Sequence, residues 1–320
     1  MSESNVVSLN PSEQADLMAA VRDEMEAGSL SQAAVARETG LSASALNQRL
    51  KGVYRGDNAA VDAKLSRWLD ARRERRSADA QMPEAPAWVQ TPSARRIRSA
   101  LSYAQIAGDI AVIYGGAGVG KTSTAHEYQR QAPNVWIVTM TPATAVVGAA
   151  LERIALAIGL RPSGRASRIE GEIIERLQGT QGLLIIDEAQ HLAPRALEAI
   201  RSLQDATGVG VAILGNQVVY TQLTGGNRSI GFAQLFSRIG KRVSLNRPTQ
   251  ADVDALATAW GVTATDAVRL LRDIAKKPGA LRAVTKTMRL ASMFAAGADA
   301  DADQPTLEHI RSAYRDLGGD

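Results

Sequence analysis

The chain has 320 residues, 45% of them hydrophobic and 4% aromatic, which is enough for two domains or for one domain with appendages. A formal net charge of +4 permits a nucleic-acid partner without demonstrating one, and the lack of cysteine excludes disulfides and thiolate metal sites. No apolar run reaches about 18 residues, so we expect no membrane span. Residues 1–14 have neither a basic nor an apolar signal-peptide region, and we therefore expect a cytoplasmic protein.

The first part of the chain has the pattern of an all-helical domain. Residues 12–26 and 58–76 each carry apolar side chains at helical spacing. Between them, residues 29–52 read "SLSQAAVARETGLSASALNQRLKG" and predict two short helices around a turn. Gly40 suits the turn, and Ser42 suits the capping position before the second helix.

Proline content and hydrophobic periodicity divide the chain into four segments. Three prolines and little periodicity indicate a linker after the first helical domain. Short apolar runs that alternate with helical patterns predict a three-layer α/β fold, and the remainder is helical. The expected segments are an N-terminal all-α domain (1–76), a linker (77–92), an α/β core (93–247) and a C-terminal helical domain (248–320).

The α/β core is expected to hold five buried parallel strands. The predicted strands are 110–114, 135–140, 182–187, 209–215 and 241–245. The predicted helices of the core are 93–107, 121–131, 142–159, 169–178, 194–206, 216–224 and 232–239. The predicted C-terminal helices are about 249–260, 263–276, 279–296 and 304–317.

A glycine-rich loop follows the first predicted strand. Residues 115–122 read "GGAGVGKT" and fit the pattern G-x-x-x-x-G-K-[ST] between a strand and a helix. Glycines let backbone N–H groups face the phosphates of ATP, and the positive end of the helix adds to that attraction. Lys121 would neutralise phosphate charge and Thr122 would ligate Mg²⁺, the alternative being a chance glycine-rich turn. The predicted nucleotide-binding residues are Gly115, Gly116, Ala117, Gly118, Val119, Gly120, Lys121, Thr122 and Ser123.

Carboxylate and amide side chains follow two later strands. In "LLIIDEA" (183–189), Asp187 would hold Mg²⁺ and Glu188 would activate the attacking water. The alternative is a strand that ends in two solvated acids. Asn216 ends the next strand, where its amide could hold the same water or cap the following helix, and the two roles are compatible.

These motifs together resemble those of the AAA+ ATPases, and the resemblance continues downstream. In that family an arginine of one subunit completes the site of its neighbour. The segment "FSRIGKRVSL" (236–245) makes Arg238 the first candidate for that role and Arg242 the second. "KKPGALRAV" (276–284) is similar to the motif called sensor 2, which implies that Arg282 reaches the γ-phosphate. The resemblance thus implies a homo-oligomeric ATPase, the alternative for each arginine being an exposed surface residue.

The two short helices near the N-terminus resemble the helix-turn-helix of phage repressors, in the order Gln32, Ala36, Gly40 and Leu46. Such helix pairs also occur as plain packing units or as protein-docking units. The resemblance implies that the second helix contacts double-stranded DNA. The residues that it places at a DNA groove are Ser42, Ser44, Asn47, Gln48 and Arg49, with Lys51 and Arg55 at phosphates.

The order of these parts is similar to that of the MuB family within the AAA+ ATPases. "IDEAQHL" (186–192) is similar to the branch that holds MuB, TnsC and the ExeA-like ATPases, and the helix-turn-helix points to MuB within it. The resemblance implies an ATP-bound helical filament on target DNA, with little sequence preference, that offers the DNA to a transposase and stimulates strand transfer. Hydrolysis would then disassemble the filament in the cytoplasm of a bacterial host, and target immunity would follow from that cycle.

A filament of this kind requires basic groups that face the DNA. Loop 161–168 is rich in arginine, and loop 225–231 carries Arg228. Contacts of this type with the DNA backbone would be strongly salt-dependent, and the alternative is a solvated loop. The residues of the first loop that we expect at the DNA are Arg161, Arg165 and Arg168.

Three other functions remain open on the sequence. An ExeA-like secretion ATPase would usually carry a membrane segment or a peptidoglycan-binding module, and the sequence has the pattern of neither. A transcription regulator with a σ54-type AAA+ core would carry a GAFTGA-like loop, which the sequence lacks. A helicase loader of the AAA+ type has no such distinguishing motif and remains possible.

Overall fold

The computed structural model describes residues 10–81, 86–224, 238–298 and 304–319. The chain divides into two compact units, Met1–Pro83 and Glu84–Asp320. The first unit is helical, and the second combines a parallel sheet with helices. None of the helices in the described ranges combines the length and the hydropathy that a bilayer crossing needs.

The first unit is built from α1 (Pro11–Ala27), α2 (Gln32–Thr39), α3 (Ala43–Leu50) and α4 (Asn58–Gln81). Val21, Val35, Leu46 and Leu65 are fully buried where these helices meet. Removing these apolar side chains from water is the main favourable contribution to the packing of such a small unit. Helix α4 continues past residue 76 to Gln81, so the helical domain is longer and the linker shorter than the sequence indicated.

The turn between α2 and α3 has the predicted chemistry. Gly40 adopts a left-handed conformation (φ 64°, ψ 32°), and its N–H donates to the carbonyl of Ala36. The hydroxyl of Ser42 accepts a hydrogen bond from the N–H of Ala45 at 3.1 Å. The expectations for the turn glycine and the capping serine are therefore confirmed.

The prediction that Arg49 faces DNA is wrong. Its guanidinium donates two hydrogen bonds of 2.7 Å to the carboxylate of Asp62 on α4, and a third to Gln14 of α1. Arg49 and Asp62 are both buried. Because a buried carboxylate is costly without a paired cation, Arg49 lies on the inner face of α3 and joins three helices.

The second unit contains a parallel five-stranded sheet in the order β2-β3-β4-β1-β5. Its strands are β1 (Ile110–Gly115), β2 (Val135–Thr139), β3 (Leu183–Asp187), β4 (Gly210–Gly215) and β5 (Ile239–Leu245). All five predicted strands are present within two residues of their expected ends, β5 beginning at Ile239 rather than at 241. The carboxyl ends of β1, β3 and β4 lie side by side, which brings the motifs that follow them to one edge.

Helices cover both faces of this sheet. Those of the core are α5 (Pro92–Ala107), α6 (Lys121–Gln131), α7 (Val147–Ala157), α8 (Ala166–Leu177), α9 (Pro194–Thr207) and α10 (Gln217–Thr224). The helices that follow the sheet are α11 (Gln250–Ala259), α12 (Thr265–Lys276), α13 (Ala280–Ala298) and α14 (Leu307–Asp316). The predicted loop 225–231 with Arg228, and nearly all of the predicted helix 232–239, lie outside the described residues.

The single helix predicted over 142–159 is wrong. A short 3-10 turn over Pro142–Thr144 is separated from α7 by Ala145 and Val146, and the backbone of Val146 is extended (φ −94°, ψ 159°). The carbonyl of Ala145 accepts a hydrogen bond from the N–H of Ala193, just before α9. That long-range bond takes the place of a helical one, and a local pattern of apolar residues cannot reveal it.

Alternate residues of the strands face two hydrophobic layers. In β3, which is buried along its whole length, Leu184 and Ile186 pack into one layer, and Leu183 and Ile185 pack into the other. Strands with two buried faces read as continuous apolar runs, which is why they were predictable. The sheet therefore forms a rigid support for the residues at its carboxyl edge.

The last four described helices form a bundle around Leu271, Met288 and Ile310, which are fully buried. Val89, which the sequence placed in the linker, packs against this bundle. Thr91 caps α5, its hydroxyl accepting from the N–H of Ala94. The described end of the predicted linker is thus part of the second unit.

Candidate nucleotide-binding site

The glycine-rich loop joins β1 to α6 and lies against the helical bundle. Gly115, Gly118 and Gly120 have φ values of 140°, 74° and 92°. A Cβ added at Gly118 would lie 2.0 Å from the carbonyl oxygen of Gly279, so only glycine fits there. The carbonyl of Gly118 also accepts a hydrogen bond of 3.1 Å from the N–H of Leu281. The loop is therefore held between the sheet and the start of α13.

Lys121, the first residue of α6, lies over this loop. Its ammonium donates to the carbonyls of Gly115 at 3.1 Å and Gly116 at 2.7 Å. Burial lowers the pKa of Lys121, while the nearby carboxylates of Asp187 and Glu188 act in the opposite direction. The side chain thus places a positive charge beside the backbone N–H groups of a helix N-terminus, which is an anion-binding arrangement.

Thr122 and Asp187 connect the loop to β3. The hydroxyl of Thr122 donates to Oδ2 of Asp187 at 2.7 Å, and Oδ1 of Asp187 accepts from the N–H of Glu188 at 2.9 Å. Asp187 is buried, with 2% of its surface exposed. A hydroxyl and one carboxylate are the hard oxygen ligands that Mg²⁺ takes from a protein when phosphates and water supply the rest. The two residues therefore fit a magnesium–nucleotide site.

Glu188 and Asn216 follow neighbouring strands and are linked through Gln190. Glu188 is exposed and adopts a left-handed backbone conformation (φ 53°, ψ 36°). The amide nitrogen of Gln190 donates to Oε2 of Glu188, and its oxygen accepts from the N–H of Asn216 at 3.3 Å. Oδ1 of Asn216 accepts from the N–H of Val218 at 2.8 Å, so the capping interpretation of Asn216 is confirmed. Sequence reasoning missed Gln190, although it lies within the segment that drew attention to Glu188.

Arg282 is an exposed residue in the first turn of α13. Arg282 directly follows Leu281, whose N–H is bonded to Gly118, and its charge contributes to the lowered pKa of Lys121. The bundle thus adds a second cation to the same edge of the sheet. Two cations, a ring of backbone donors and a pair of carboxylates together favour a polyphosphate with a bound divalent cation.

Arg238 lies at the other end of the sheet. Arg238 immediately precedes β5, whose first residue, Ile239, is paired with Ile110 at the start of β1. The glycine-rich loop follows the opposite end of β1, where Gly115 is paired with Leu245. At about 3.3 Å per residue, the length of β1 separates the two positions by on the order of 20 Å. The guanidinium of Arg238 forms an ion pair of 2.8 Å with Asp205. It is therefore not brought to the glycine-rich loop of its own chain.

A cavity of about 270 Å³ continues from the start of α6 towards the bundle. Gly120, Ser123 and Thr124 line one side, and Trp88 and Trp260 contribute aromatic surface. The indole N–H of Trp260 is buried and has no hydrogen-bond partner in the described part of the chain. A buried donor without a partner is costly, so a small rearrangement that brings the nitrogen an acceptor atom of a ligand would be favourable. The cavity is thus suited to a flat, polar ring attached to the phosphates.

The remaining predicted DNA-binding residues differ in how free their side chains are. Ser44, Gln48 and Lys51 are exposed in the first unit, Asn47 is half-buried, and the hydroxyl of Ser42 is engaged as a helix cap. In the second unit, Arg161 and Arg165 are exposed, whereas Arg168 is exposed but paired with Glu172 at 2.9 Å. Arg168 lies within α8, because that helix begins at Ala166, inside the segment predicted as a loop.

The chain is similar to known transposition proteins over most of its length. The profile of the family described as "Mu B transposition protein, C terminal" matches residues 237–317, and that of an AAA domain matches 107–223. The "ATP-dependent target DNA activator B" of Escherichia phage Mu is 40% identical, covering 94% of this chain and 95% of that protein. The protein of the same name from Escherichia phage D108 gives the same figures. The "Mu-like prophage FluMu DNA transposition protein B" of Haemophilus influenzae is 38% identical, covering 83% of this chain and 93% of that protein.

Proposed function

The chain belongs to the MuB family of AAA ATPases, and on that premise we propose that it is a Mg²⁺-dependent ATPase that binds double-stranded target DNA and delivers it to a transposase. The observation that carries the enzymatic part is the hydrogen bond between Thr122 and Asp187. It joins the phosphate loop to the strand that holds the acidic pair, as a nucleotide site requires. The name of the two phage relatives, ATP-dependent target DNA activator B, supports DNA as the partner.

Each polar residue of the site has a distinct part in hydrolysis. Mg²⁺ held by Thr122 and Asp187 would neutralise charge on the phosphate oxygens. Lys121 binds the phosphates, and its half-buried ammonium favours the anionic ligand over water. Glu188 accepts the proton of the attacking water, and the amide nitrogen of Asn216, whose oxygen caps α10, orients that water. Arg282 completes the charge around the γ-phosphate from the helical bundle, which acts as a lid.

The same proposal includes assembly into a homo-oligomer. Arg238 lies on the order of 20 Å from the glycine-rich loop of its own chain, as estimated from the strand length. At that distance it can serve only the site of a neighbouring subunit, so hydrolysis would depend on assembly. We take the assembly to be an ATP-dependent helical filament on DNA, and hydrolysis to be the step that takes it apart. Release of the subunits from DNA after hydrolysis would leave target DNA with the transposase and activate strand transfer.

DNA contact is divided between the two units in this proposal. The helix-turn-helix contributes the exposed side chains of Ser44, Gln48 and Lys51, with Asn47 beside them. The ATPase unit contributes Arg161, Arg165 and Arg168 at the start of α8. Small polar side chains and exposed arginines suit contacts with the DNA backbone rather than the reading of one sequence, and Arg168 would exchange its ion pair with Glu172 for a phosphate. Binding is therefore expected to weaken steeply with salt.

Electron microscopy of the purified chain with duplex DNA of random sequence tests the proposal. Filaments that coat the DNA with a non-hydrolysable ATP analogue, and are absent without nucleotide, are the expected result. Lys121→Ala is the matched control, because it removes the phosphate contact and leaves the DNA-binding residues in place. Rings that ignore DNA, or DNA coating that is indifferent to nucleotide in both proteins, would overturn the proposal.

A further inference from the structure

Gln190 touches both residues to which the proposed function gives a role at the attacking water. Its amide nitrogen donates to Oε2 of Glu188, and its amide oxygen accepts from the N–H of Asn216 at 3.3 Å. Glu188 and Asn216 follow different strands, β3 and β4, which are adjacent in the sheet. One half-buried side chain therefore bridges the candidate base and the segment that carries the candidate water-holding amide.

From this geometry we propose that Gln190 is a positioning residue, which fixes the carboxylate of Glu188 relative to Asn216 and so sets the rate of hydrolysis. The inference rests on the proposed function, since it assigns Gln190 a part in the same site. Gln190 itself contacts neither the glycine-rich loop nor the Thr122–Asp187 pair through any hydrogen bond of the described residues. Its effect must therefore pass through Glu188.

Two features of the backbone support a positioning role over simple space filling. Glu188 is held in a left-handed conformation, which is uncommon for a residue with a side chain and orients its carboxylate in a direction that ordinary strand geometry would not give. Gly215, the last residue of β4, leaves room for the bridge: a Cβ added there would lie 2.7 Å from the amide oxygen of Gln190. The end of β4 at Gly215 and the left-handed backbone at Glu188 thus both accommodate the amide group of Gln190.

The chemistry of the amide also matters, because it presents a donor to a carboxylate and an acceptor to an N–H at the same time. A glutamate in its place would keep the shape and the acceptor, but would set a second carboxylate against Glu188. Glu188 already follows the carboxylate of Asp187 directly in the chain, and its charge acts on that of Lys121. A further negative charge would displace Glu188, whereas alanine would merely release it.

The test is single-turnover hydrolysis of radiolabelled ATP by the full chain with DNA present. We expect Gln190→Ala to lower the rate constant by roughly 10- to 100-fold through misplacement of the base. The affinity for a fluorescent ATP analogue should stay within about twofold, because the phosphate contacts are untouched. Gln190→Glu should be at least as slow as Gln190→Ala. Gln178→Ala, which alters an exposed glutamine at the end of α8, is the matched control and should hydrolyse ATP normally.

A double-mutant cycle with Glu188→Gln separates positioning from general destabilisation. If Gln190 acts through Glu188, adding Gln190→Ala to Glu188→Gln should change the residual rate by less than about twofold. The inference would be overturned if the two substitutions lowered the hydrolysis rate independently, so that the double variant showed the product of the two single losses. It would also be overturned if Gln190→Glu hydrolysed ATP faster than Gln190→Ala. Normal hydrolysis by Glu188→Gln would instead refute the assignment of the base, whereas an unaltered chain that does not hydrolyse ATP with DNA and Mg²⁺ present would refute the proposed function. Thermal unfolding of each variant confirms that the comparison is made between folded proteins.

Discussion

The carboxylate of Asp252 on α11 accepts two hydrogen bonds of 2.7 Å from Ser93 on α5, one from the backbone N–H and one from the hydroxyl. Asp252 is fully buried, and it also accepts from the N–H and the hydroxyl of Thr249. The buried carboxylate of Asp252 thus joins the helical bundle to Ser93 of the α/β core, and both of its oxygens accept hydrogen bonds. Because the bundle supplies Arg282, this contact helps to set the geometry of the nucleotide site.

Removal of the Asp252 carboxylate should destabilise the second unit. Asp252→Ala leaves the buried N–H of Ser93 without an acceptor, and we expect the free energy of unfolding to fall by about 2–4 kcal/mol. Asp254→Ala is the control: its partner Arg272 is at the surface, so the loss should stay below about 1 kcal/mol. Urea titrations followed by tryptophan fluorescence would measure both, and equal losses would refute the role given to Asp252.

The same carboxylate should make stability depend on pH in the acid range. Burial alone raises the pKa of Asp252, but the hydrogen bonds from Ser93 and Thr249 outweigh it and hold the pKa below its ordinary value of 3.8. A group with a lowered pKa in the folded state stabilises the fold above its unfolded pKa, and that contribution is lost as the pH falls through the folded value. The difference in unfolding free energy between the wild type and Asp252→Asn should therefore be largest above about pH 4 and shrink below it. A difference that stays constant from pH 3 to pH 6 would contradict this.

Arg49 and Gln48 are neighbours in sequence, but their replacement should have different consequences. Arg49→Ala leaves Asp62 buried without its cation, and we expect a loss of about 3–5 kcal/mol in the stability of the first unit. Gln48→Ala removes an exposed side chain and should leave stability unchanged within about 0.5 kcal/mol. If the proposed DNA contact is right, Gln48→Ala should instead weaken DNA binding at moderate salt. Circular dichroism and fluorescence anisotropy with labelled duplex DNA would measure the two effects, and an Arg49→Ala protein of normal stability would be the contrary result.

These examples show which parts of the fold a sequence reveals. The glycine-rich loop and β3 were predictable because each is a contiguous pattern whose physical cause is local: phosphate-binding backbone in one case, two buried faces in the other. Arg49 was misassigned because an arginine at a helix surface and one in a buried pair look alike until its partner Asp62 is known. The Ser93–Asp252 contact joins residues 159 positions apart, and no local pattern indicates it.

The candidate site divides in the same way. The sequence indicated the acid pair at 187–188 and the cation Arg282, since each lies within a short motif. The bridge made by Gln190 depends on the adjacency of β3 and β4, which is a property of the sheet order. The burial of the Trp260 indole N–H without a partner is a consequence of tertiary packing. The hydrophobic periodicity of the sequence indicates only that Trp260 lies at the end of a helix.

The indole N–H of Trp260 should contribute to nucleotide affinity. If it donates to the base of ATP, Trp260→Phe removes one hydrogen bond and should weaken binding by roughly 3- to 10-fold. Trp136→Phe, which changes a tryptophan on β2 outside this cavity, is the control and should bind ATP normally. Equilibrium titration with a fluorescent ATP analogue would give both affinities. Unchanged affinity in Trp260→Phe would mean that the indole faces no part of the nucleotide.

Subunits with complementary defects test whether Arg238 acts on a neighbouring site. Lys121→Ala subunits lack a phosphate contact but keep Arg238, and Arg238→Ala subunits have the reverse defect. Each variant alone should hydrolyse ATP slowly, whereas an equimolar mixture on DNA should recover activity, because intact sites form wherever a Lys121→Ala subunit presents Arg238 to its neighbour. Charge-stabilising arginines of this kind are worth several kcal/mol in phosphoryl transfer, so recovery should stand well above the background.

The mixing experiment needs two controls. One tests the ion pair of Arg238, and the other tests whether mixing subunits by itself changes the rate of hydrolysis. Asp205→Ala removes the partner of Arg238 within its own chain, and it should not lower the rate of hydrolysis. The rate should rise if the guanidinium has to leave Asp205 in order to reach a neighbouring subunit. Mixing Arg238→Ala with an Arg238→Ala, Lys121→Ala double variant supplies no arginine and should give no recovery. Recovery in that second mixture, or none in the first, would show that Arg238 does not complete a neighbouring site, and Arg242 would become the residue to vary in the same design.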